Sequence, residues 1–330
     1  MDLTISIVSY NTKRLLRNCL SSIYRNVKEI EFEIIVVDNA SEDESMEMIK
    51  EEFPQVKLII NQNNLGFAKA NNQAIKQSRG RYILLLNSDT VVISDAILKI
   101  LNFIKSHPDV GVVGCRKLNA DLSCQPLATI LPNIWMVFLR FFRFKNFLSS
   151  PRQRRFLSKF FGSFLGKTIS SYFSWYSENN LKKAIPVDFI TGACFLIRRK
   201  TIDEVGLLDE NFFMYLEDTD WCFRTKQKGW KMYICPKAKV IHYGGENFRS
   251  NVDTFSLEHC KSRYYYFEKH YGKRFTLLIR IIIISALILQ GGVLLMKYLF
   301  LKKERKKIIW KKISLYSKII KLSLGIQEKE

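Results

Sequence analysis

Between Thr4 and Val113 the chain alternates two hydrophobic periods. Thr4–Ser9 is a short run rich in Ile and Val that reads as a strand. Behind Asn11-Thr12, which caps a helix, Leu15, Leu16, Cys19, Leu20 and Ile23 recur at the 3.6-residue spacing of one apolar helical face. The pair then repeats. Ile34–Val37 is a continuous apolar strand ending at Asp38, and Ser41 followed by Glu44 resembles a capping box that opens the next helix. Val56–Ile60 is a third strand, Gly66–Ser78 a third helix, and Tyr82–Leu86 a fourth strand that closes on Asn87-Ser88-Asp89. Ser94-Asp95 caps a further helix stopped by Pro108, and Val110–Val113 is strand-like again. Strands alternating with helices of this length predict right-handed βαβ units and a mostly parallel sheet with helices on both faces. Such sheets bind ligands outside the carboxyl ends of their strands. Asp38 and Asp89 both occupy such ends, which argues for one site, although either alone is an ordinary turn residue.

Downstream, the aromatic run Phe212-Phe213-Met214-Tyr215-Leu216 meets Glu217-Asp218-Thr219-Asp220-Trp221, three carboxylates in four residues. Acids beside bulk apolar surface need a cation or a proton to handle; the bland alternative is a helix N-terminus, where the macrodipole welcomes them. Asn87-Ser88-Asp89 upstream and Ile241-His242-Tyr243-Gly244-Gly245 downstream add an acid at a strand end and an imidazole, the pieces of a divalent-metal site with a nearby base. Asn63-Asn64-Leu65-Gly66-Phe67-Ala68 matches neither common glycine-rich phosphate-loop pattern.

Composition adds a second theme. The 330 residues carry a net charge of +21, unevenly spread. Residues 134–183 hold ten Lys or Arg against one acid, and residues 297–330 hold eleven against three. Basic blocks point to a polyanion. Here they are mixed with large apolar side chains, as in Ile134-Trp135-Met136-Val137-Phe138-Leu139-Arg140-Phe141-Phe142-Arg143, which suits an anionic membrane surface rather than nucleic acid. The stretch Ile281–Met296 is uncharged over sixteen residues, short for a span unless Arg280 and Lys297 snorkel. An in-plane helix, a single C-terminal span and a buried soluble helix are all compatible with it. The seven cysteines show no metal-ligand spacing and read as reduced thiols of a cytosolic compartment; no signal-peptide pattern follows Met1-Asp2. One domain over 1–250 is expected, interrupted by a basic, aromatic, membrane-facing insertion at 131–185 and followed by a helical, basic, membrane-associating region at 251–330.

Seven short runs, in order over about residues 3–248, resemble the inverting nucleotide-sugar glycosyltransferases of the GT-A fold in family 2, and most nearly their rhamnosyltransferase-like branch. They are Ile7-Val8-Ser9-Tyr10-Asn11, Val36-Val37-Asp38-Asn39-Ala40-Ser41, Asn64-Leu65-Gly66-Phe67-Ala68 with Asn71-Asn72, Leu86-Asn87-Ser88-Asp89, Gly192-Ala193-Cys194-Phe195, Glu217-Asp218-Thr219-Asp220-Trp221 and His242-Tyr243-Gly244-Gly245. The resemblance implies an α/β, Rossmann-like fold and a hexosyltransferase. It implies a donor site at Ser9, Tyr10, Asn11, Asp38, Asn39, Gly66, Asn87 and Ser88. Gly192, Ala193 and Trp221 would meet the acceptor. Asp218 would be the catalytic base, with Glu217 as its structural or acceptor-orienting neighbour. Asp89 and His242 would hold Mg²⁺ or Mn²⁺, since the triplet's first position is Asn rather than Asp. Further implications are a nucleotide-sugar donor, with dTDP-rhamnose in the lead, and a saccharide or polyprenyl-lipid-linked acceptor of cell-wall or surface-polysaccharide synthesis. The enzyme would work at the cytoplasmic face of the cell membrane, peripheral or anchored by its C-terminal segment.

Two rivals belong to other classes. A sugar nucleotidylyltransferase would carry a glycine-rich basic loop after its first strand, where this chain has Ser9-Tyr10-Asn11-Thr12. A non-enzymatic membrane scaffold would have no use for Asp218 and His242 beyond a sheet already bearing Asp38 and Asp89.

Overall fold

The computed structural model describes residues 1–125, 130–142, 183–244, 252–299 and 303–326. Packing groups the chain into two units: 1–131 with 174–246, and the described parts of 132–173 with 247–330. Most of the expected 131–185 insertion, residues 143–182, lies outside the described residues, as does Gly245.

The first unit is the expected α/β sheet. Its elements are β1 (Leu3–Ser9), α1 (Lys13–Asn26), β2 (Phe32–Asp38), α2 (Ser45–Glu52), β3 (Lys57–Ile60), α3 (Phe67–Gln77), β4 (Tyr82–Asn87), β5 (Thr90–Val92), α4 (Ala96–Ser106) and β6 (Val110–Leu118). After α5 (Ile134–Phe141), which belongs to the second unit, come β7 (Ile185–Pro186), β8 (Cys194–Arg198), α6 (Arg199–Val205), α7 (Glu217–Gln227) and β9 (Lys231–His242). The strands form one sheet in the order β3-β2-β1-β4-β8-β6-β9-β5, with β7 also paired to β9. The β1–β4 segment is parallel, and β8 is inserted antiparallel between β4 and β6.

Strand alternation sorts the core into two layers. Leu3, Ile5, Ile7, Val36, Leu84 and Leu86 face Leu16, Leu20 and Ile23 of α1 and Ile97, Ile100 and Leu101 of α4. On the other face Ile83, Leu85, Phe195 and Ile197 pack on Ala68 and Ile75 of α3 and on Trp221 and Cys222 of α7. Polar residues inside these layers are satisfied across elements: Ser6 Oγ donates to Asn71 Oδ1 at 2.9 Å, and Asn72 bonds the backbone of Leu208 in both directions.

Three local expectations are corrected. Asp95 stands at the start of α4 without a side-chain capping bond. Ser41 and Glu44 form no capping box. The helix starts at Ser45, behind Glu44 in left-handed conformation, because Ser41 Oγ is already taken by the Asn11 N–H at 2.9 Å. Thr12 gives α1 no side-chain cap either, since its hydroxyl bonds Ser9 and Ser88.

The second unit is helical: α5, α8 (Val252–Tyr271), α9 (Lys273–Leu299) and α10 (Lys303–Ser323). Asn133 caps α5 by accepting from the Met136 N–H at 3.0 Å. Among the described residues α9 is the one helix long and apolar enough to cross a membrane. Gln290 on α9 donates to the Phe141 carbonyl at 2.6 Å and accepts from the Tyr316 hydroxyl of α10 at 3.0 Å. Arg280 lies over the Tyr264 ring of α8. Leu277, Ile281, Ile288, Leu289 and Met296, on the opposite stripe, are exposed.

Candidate active site

Sheet register brings the predicted residues together. Ser9 pairs with Asp38, and Val8 with Asn87, so the carboxyl ends of β2, β1 and β4 lie side by side. Cys194 pairs with Leu86, which puts the 190–193 turn beside Asn87. Thr90 pairs with His242 at the far edge, which returns the imidazole to Asp89 across 153 residues of chain.

Asp38 is fully buried. Its Oδ1 accepts from the Ser41 N–H at 2.8 Å, whereas Oδ2 is buried with no hydrogen-bond partner. Asn11 (φ +52°), an αL position that Asn tolerates, accepts from the Glu42 N–H at 2.8 Å and so ties the β1 and β2 turns together. Asn39 reaches Asn64 and the Gly66 carbonyl, both at 3.2 Å. Tyr10 is exposed beside them. Ser9, Thr12 and Ser88 form a hydroxyl chain, with links of 3.0 and 3.1 Å, from β1 to β4.

Gly66 has a steric reason. Its φ is +79°, and a Cβ there would sit 2.2 Å from the Phe213 carbonyl oxygen, which accepts from the Phe67 N–H at 2.8 Å. This close approach docks the start of α3 on the loop that precedes the acids. That loop enters α7 through two consecutive bulky residues in left-handed conformation, Tyr215 (φ +71°) and Leu216 (φ +63°). Such backbone costs about 1–3 kcal/mol per residue and clusters at functional sites.

The three acids of α7 have three fates. Asp220 is buried in an ion pair with Arg224 at 2.9 Å, whose other N–H groups hold the Val205 and Leu207 carbonyls; it is structural. Asp218 accepts from the Gly192 N–H at 2.8 Å and from the Thr219 N–H at 2.6 Å. Burial lifts its carboxyl above the ordinary range, against the pull of those N–H groups and of the Lys117 ammonium. Glu217, 5% exposed, has a buried Oε2 without a partner; burial and then the Asp218 charge push its carboxyl well up. Two adjacent acids thus differ in environment: Asp218 is hydrogen-bonded as a carboxylate and Glu217 is poised to keep its proton. The helix-start reading of this run is what the structure shows, with α7 beginning at Glu217.

Asp89 Oδ1 lies 3.3 Å from His242 Nε2 and is otherwise without a partner. Gln125 Nε2 donates to the His242 carbonyl at 2.6 Å, which orients its amide so that Oε1, 3.2 Å away, accepts from Nδ1–H. The Nε2 lone pair then faces a carboxylate oxygen, an arrangement completed by a proton or a cation between them. Burial raises the Asp89 carboxyl, but the imidazole and the Gly244 N–H outweigh it and hold the group below its ordinary value. Asn87 Oδ1 is a further buried, unpartnered oxygen, with Asn87 Nδ2 at 3.4 Å from Nε2. Among the described residues no cluster of three or more His, Cys, Asp or Glu side chains forms, and at this place they bring one carboxylate and one imidazole together. The residues fit a divalent cation whose remaining ligands come from substrate and water.

Trp221 and Ala193 are not where an acceptor contact needs them. Trp221 is 1% exposed, packs edge-on to Phe195 and donates its indole N–H to the Gly206 carbonyl at 2.8 Å. Its place beside the acids reflects core packing. Ala193 is buried, and its carbonyl accepts from the Asn87 N–H. Gly192 is kept small by the Phe67 ring, 3.0 Å from where a Cβ would lie. Sequence reasoning missed Gln125, Thr191 and Lys117. The one signal was the Arg116-Lys117 pair near the end of the otherwise apolar β6.

The family described as Glycosyl transferase family 2 matches residues 4–206. The chain is 25% identical over 252 residues, 72% of its length and 76% of the relative's, to N-acetylglucosaminyl-diphospho-decaprenol L-rhamnosyltransferase of Mycobacterium tuberculosis. It is 24% identical over 250 residues, 73% of its length and 67% of the relative's, to the low-salt glycan biosynthesis hexosyltransferase Agl10 of Haloferax volcanii. In fold it is similar to the mannosyltransferase PcManGT of Pyrobaculum calidifontis, solved with GDP-Man and Mn²⁺, at TM-score 0.55 and 13% identity over 98% of this chain and 84% of that one. GalNAc-T7, solved with UDP, GalNAc and Mn²⁺, superposes at TM-score 0.52 and 14% identity over 81% of this chain and 50% of that one.

Proposed function

The chain belongs to glycosyl transferase family 2 and is a glycosyltransferase, and from that premise we propose that it moves rhamnose from dTDP-rhamnose to a polyprenyl-diphosphate-linked saccharide, with inversion at the anomeric carbon. The observation that carries this reading is the convergence at one sheet edge of an unpartnered Asp38 oxygen, the Asp89–His242 pair and the Asp218 carboxylate on its Gly192 N–H. The 25%-identical rhamnosyltransferase supports the choice of sugar and lipid.

Asp38 and Tyr10 take the nucleoside, through the free carboxylate oxygen and the exposed ring. Asp38 and Asn87 are two strand spacings apart, about 10 Å, which suits a nucleoside at one and its diphosphate at the other. Asp89 Oδ1 and His242 Nε2 would hold a divalent cation, Mg²⁺ or Mn²⁺, which when bound offsets charge on the departing diphosphate. Asp218 accepts the proton of the acceptor hydroxyl as that oxygen bonds the anomeric carbon and the nucleoside diphosphate leaves with the bonding electrons. A single displacement of this kind inverts the centre. Raised by burial, Asp218 is a better proton acceptor than a surface carboxylate. The exposed apolar stripe of α9, flanked by Lys273, Arg274 and Lys297, supports attachment to the anionic cytoplasmic leaflet where such a lipid resides.

The test incubates purified protein with dTDP-rhamnose, a synthetic polyprenyl-diphosphate N-acetylglucosamine and Mn²⁺ or Mg²⁺. Mass spectrometry is expected to find one added deoxyhexose and NMR an inverted linkage. Failure with this pair but turnover of another nucleotide-sugar corrects the donor; hydrolysis or transfer with none, under both metals, removes the reading.

A further inference from the structure

Lys117 stands near the carboxyl end of β6, and its register partner on β9 is Val240, two residues before His242. Its ammonium donates to Thr191 Oγ1 at 2.7 Å. Thr191 is followed by Gly192, whose N–H binds Asp218 Oδ2 at 2.8 Å. A Cβ on Gly192 would press on the Phe67 ring at 3.0 Å. A continuous path therefore runs from Lys117 through a two-residue turn to the carboxylate read as the base. An ammonium has three N–H donors and Thr191 takes one, so its charge is not consumed by that bond.

The charge reaches the same place as the hydrogen bonds. Burial pushes the Lys117 ammonium down, and Asp218 is the foremost group opposing that, with Asp89 further down the order. Reciprocally, Lys117 on β6 pulls the Asp218 carboxyl down, while the Asp218 charge pushes Glu217 and Cys222 on its own helix up. Burial works against the ionised form of Asp218. Lys117 is the cation that favours it.

We propose that Lys117 is a positioning residue for Asp218: through Thr191 it holds the turn that presents the Gly192 N–H, and its charge keeps the carboxylate ready to accept a proton. This rests on Asp218 being the base, and the experiment separates the two claims. Protein labelled with ¹³C at the aspartate carboxyl carbon is titrated by NMR, the Asp218 resonance being assigned by its loss in Asp218→Asn. Lys117→Met is expected to raise the Asp218 midpoint by about 1 pH unit or more. Lys117→Gln, which is one atom shorter but keeps an N–H donor and removes the charge, provides the same reading should the Met variant fold poorly. Lys117→Arg keeps the midpoint near wild type, and Thr191→Val, which breaks the turn contact, raises it less than Lys117→Met. In turnover, Lys117→Met moves the acid limb of the kcat profile to higher pH in step with the NMR midpoint and recovers at alkaline pH. An unchanged midpoint in both neutral variants overturns the proposal; a raised donor KM with that unchanged midpoint reassigns Lys117 to a substrate phosphate. Full turnover by Asp218→Asn removes the base reading instead, without touching the NMR result.

Discussion

Leu84 on β4 and Ile288 on α9 are both bulky aliphatic residues in the middle of regular elements, yet one is 0% exposed and the other 61%. The two units sort polarity in opposite senses. In the sheet unit apolar residues go inward and polar chemistry collects at strand ends and at the start of α7, with Asp38 and Asp89 at the former and Asp218 at the latter. In the helical unit Gln290 and Arg280 turn toward α5, α8 and α10, while Leu277, Ile281, Ile288, Leu289 and Met296 turn away from the bundle. Water rewards the first arrangement and penalises the second by about 25 cal/mol per Å² of exposed apolar surface. A lipid surface reverses that sign. The difference sets a unit whose polar groups gather at one candidate site beside a unit whose apolar stripe faces outward, a stripe that the proposed attachment to lipid would cover, and each is open to separate attack.

The largest expected effect is on the sheet unit alone. Asp218→Asn keeps the side-chain shape but leaves no carboxylate to take a proton. Transfer should fall by about 10³-fold, with dTDP affinity and vesicle binding unchanged. Calorimetric loss of nucleotide binding would show that Asp218 belongs to the donor site and not to the acceptor side. Next comes His242→Ala, which leaves Asp89 without its imidazole and Gln125 without a ring to orient. Metal-supported nucleotide binding should weaken by about 10- to 100-fold, read as loss of the Mn²⁺-dependent part of the dTDP thermal shift. Equal shifts with and without EDTA in the wild type would dismiss the pair as a metal site.

These residues also show how far the sequence could be read. The β1–α4 alternation was legible because each strand and helix carries its own period and needs no distant partner. Asp38 and Asp89 were legible as strand-end acids, since topology sends such ends to one edge. The link from His242 to Gln125 was not, because a lone glutamine has no local signature and meets the ring only through β-pairing at the sheet edge. Lys117 was hidden for the same reason: its partner Thr191 lies 74 residues away, in the turn before the antiparallel β8. Trp221 misled because the resemblance carried an acceptor role onto it, whereas the Gly206 carbonyl already satisfies its indole in the core. Ser41–Glu44 misled because a local motif lost to a tertiary bond from Asn11.

A smaller effect is expected in the helical unit. Ile288→Lys with Leu289→Lys places two cations on the exposed stripe of α9. Binding to vesicles of zwitterionic and anionic lipid should weaken by at least about tenfold, since each buried aliphatic side chain is worth about 1.5–3 kcal/mol. Added positive charge favours anionic lipid, so weaker binding despite it isolates the apolar contribution. Melting temperature in detergent and turnover of a soluble acceptor analogue should stay near wild type. Leu84→Lys is the matching change in the sheet unit and should unfold it. Unaltered vesicle binding by the α9 double variant would end the membrane reading of that stripe and leave the comparison without its second half.

The smallest effect distinguishes a buried acid kept for chemistry from polar groups kept for packing. Glu217 is buried with an unpartnered Oε2, and burial followed by the Asp218 charge lifts its carboxyl well above the ordinary 4.5. The folded chain therefore binds this proton more tightly than the unfolded chain does. That contribution to stability is full below the unfolded value and is lost as pH rises through the raised folded value. Glu217→Gln is shaped alike and cannot ionise, so it should be more stable than wild type at pH 8 by about 1 kcal/mol, or roughly 2–4 °C in Tm, with the advantage gone near pH 4. A variant less stable than wild type at both pH values would mean that the carboxylate is held by favourable bonds, as Gln290 is in the helical unit. Glu217 would then be a packing residue, and the strain at the start of α7 would have to be traced to Tyr215 and Leu216 alone.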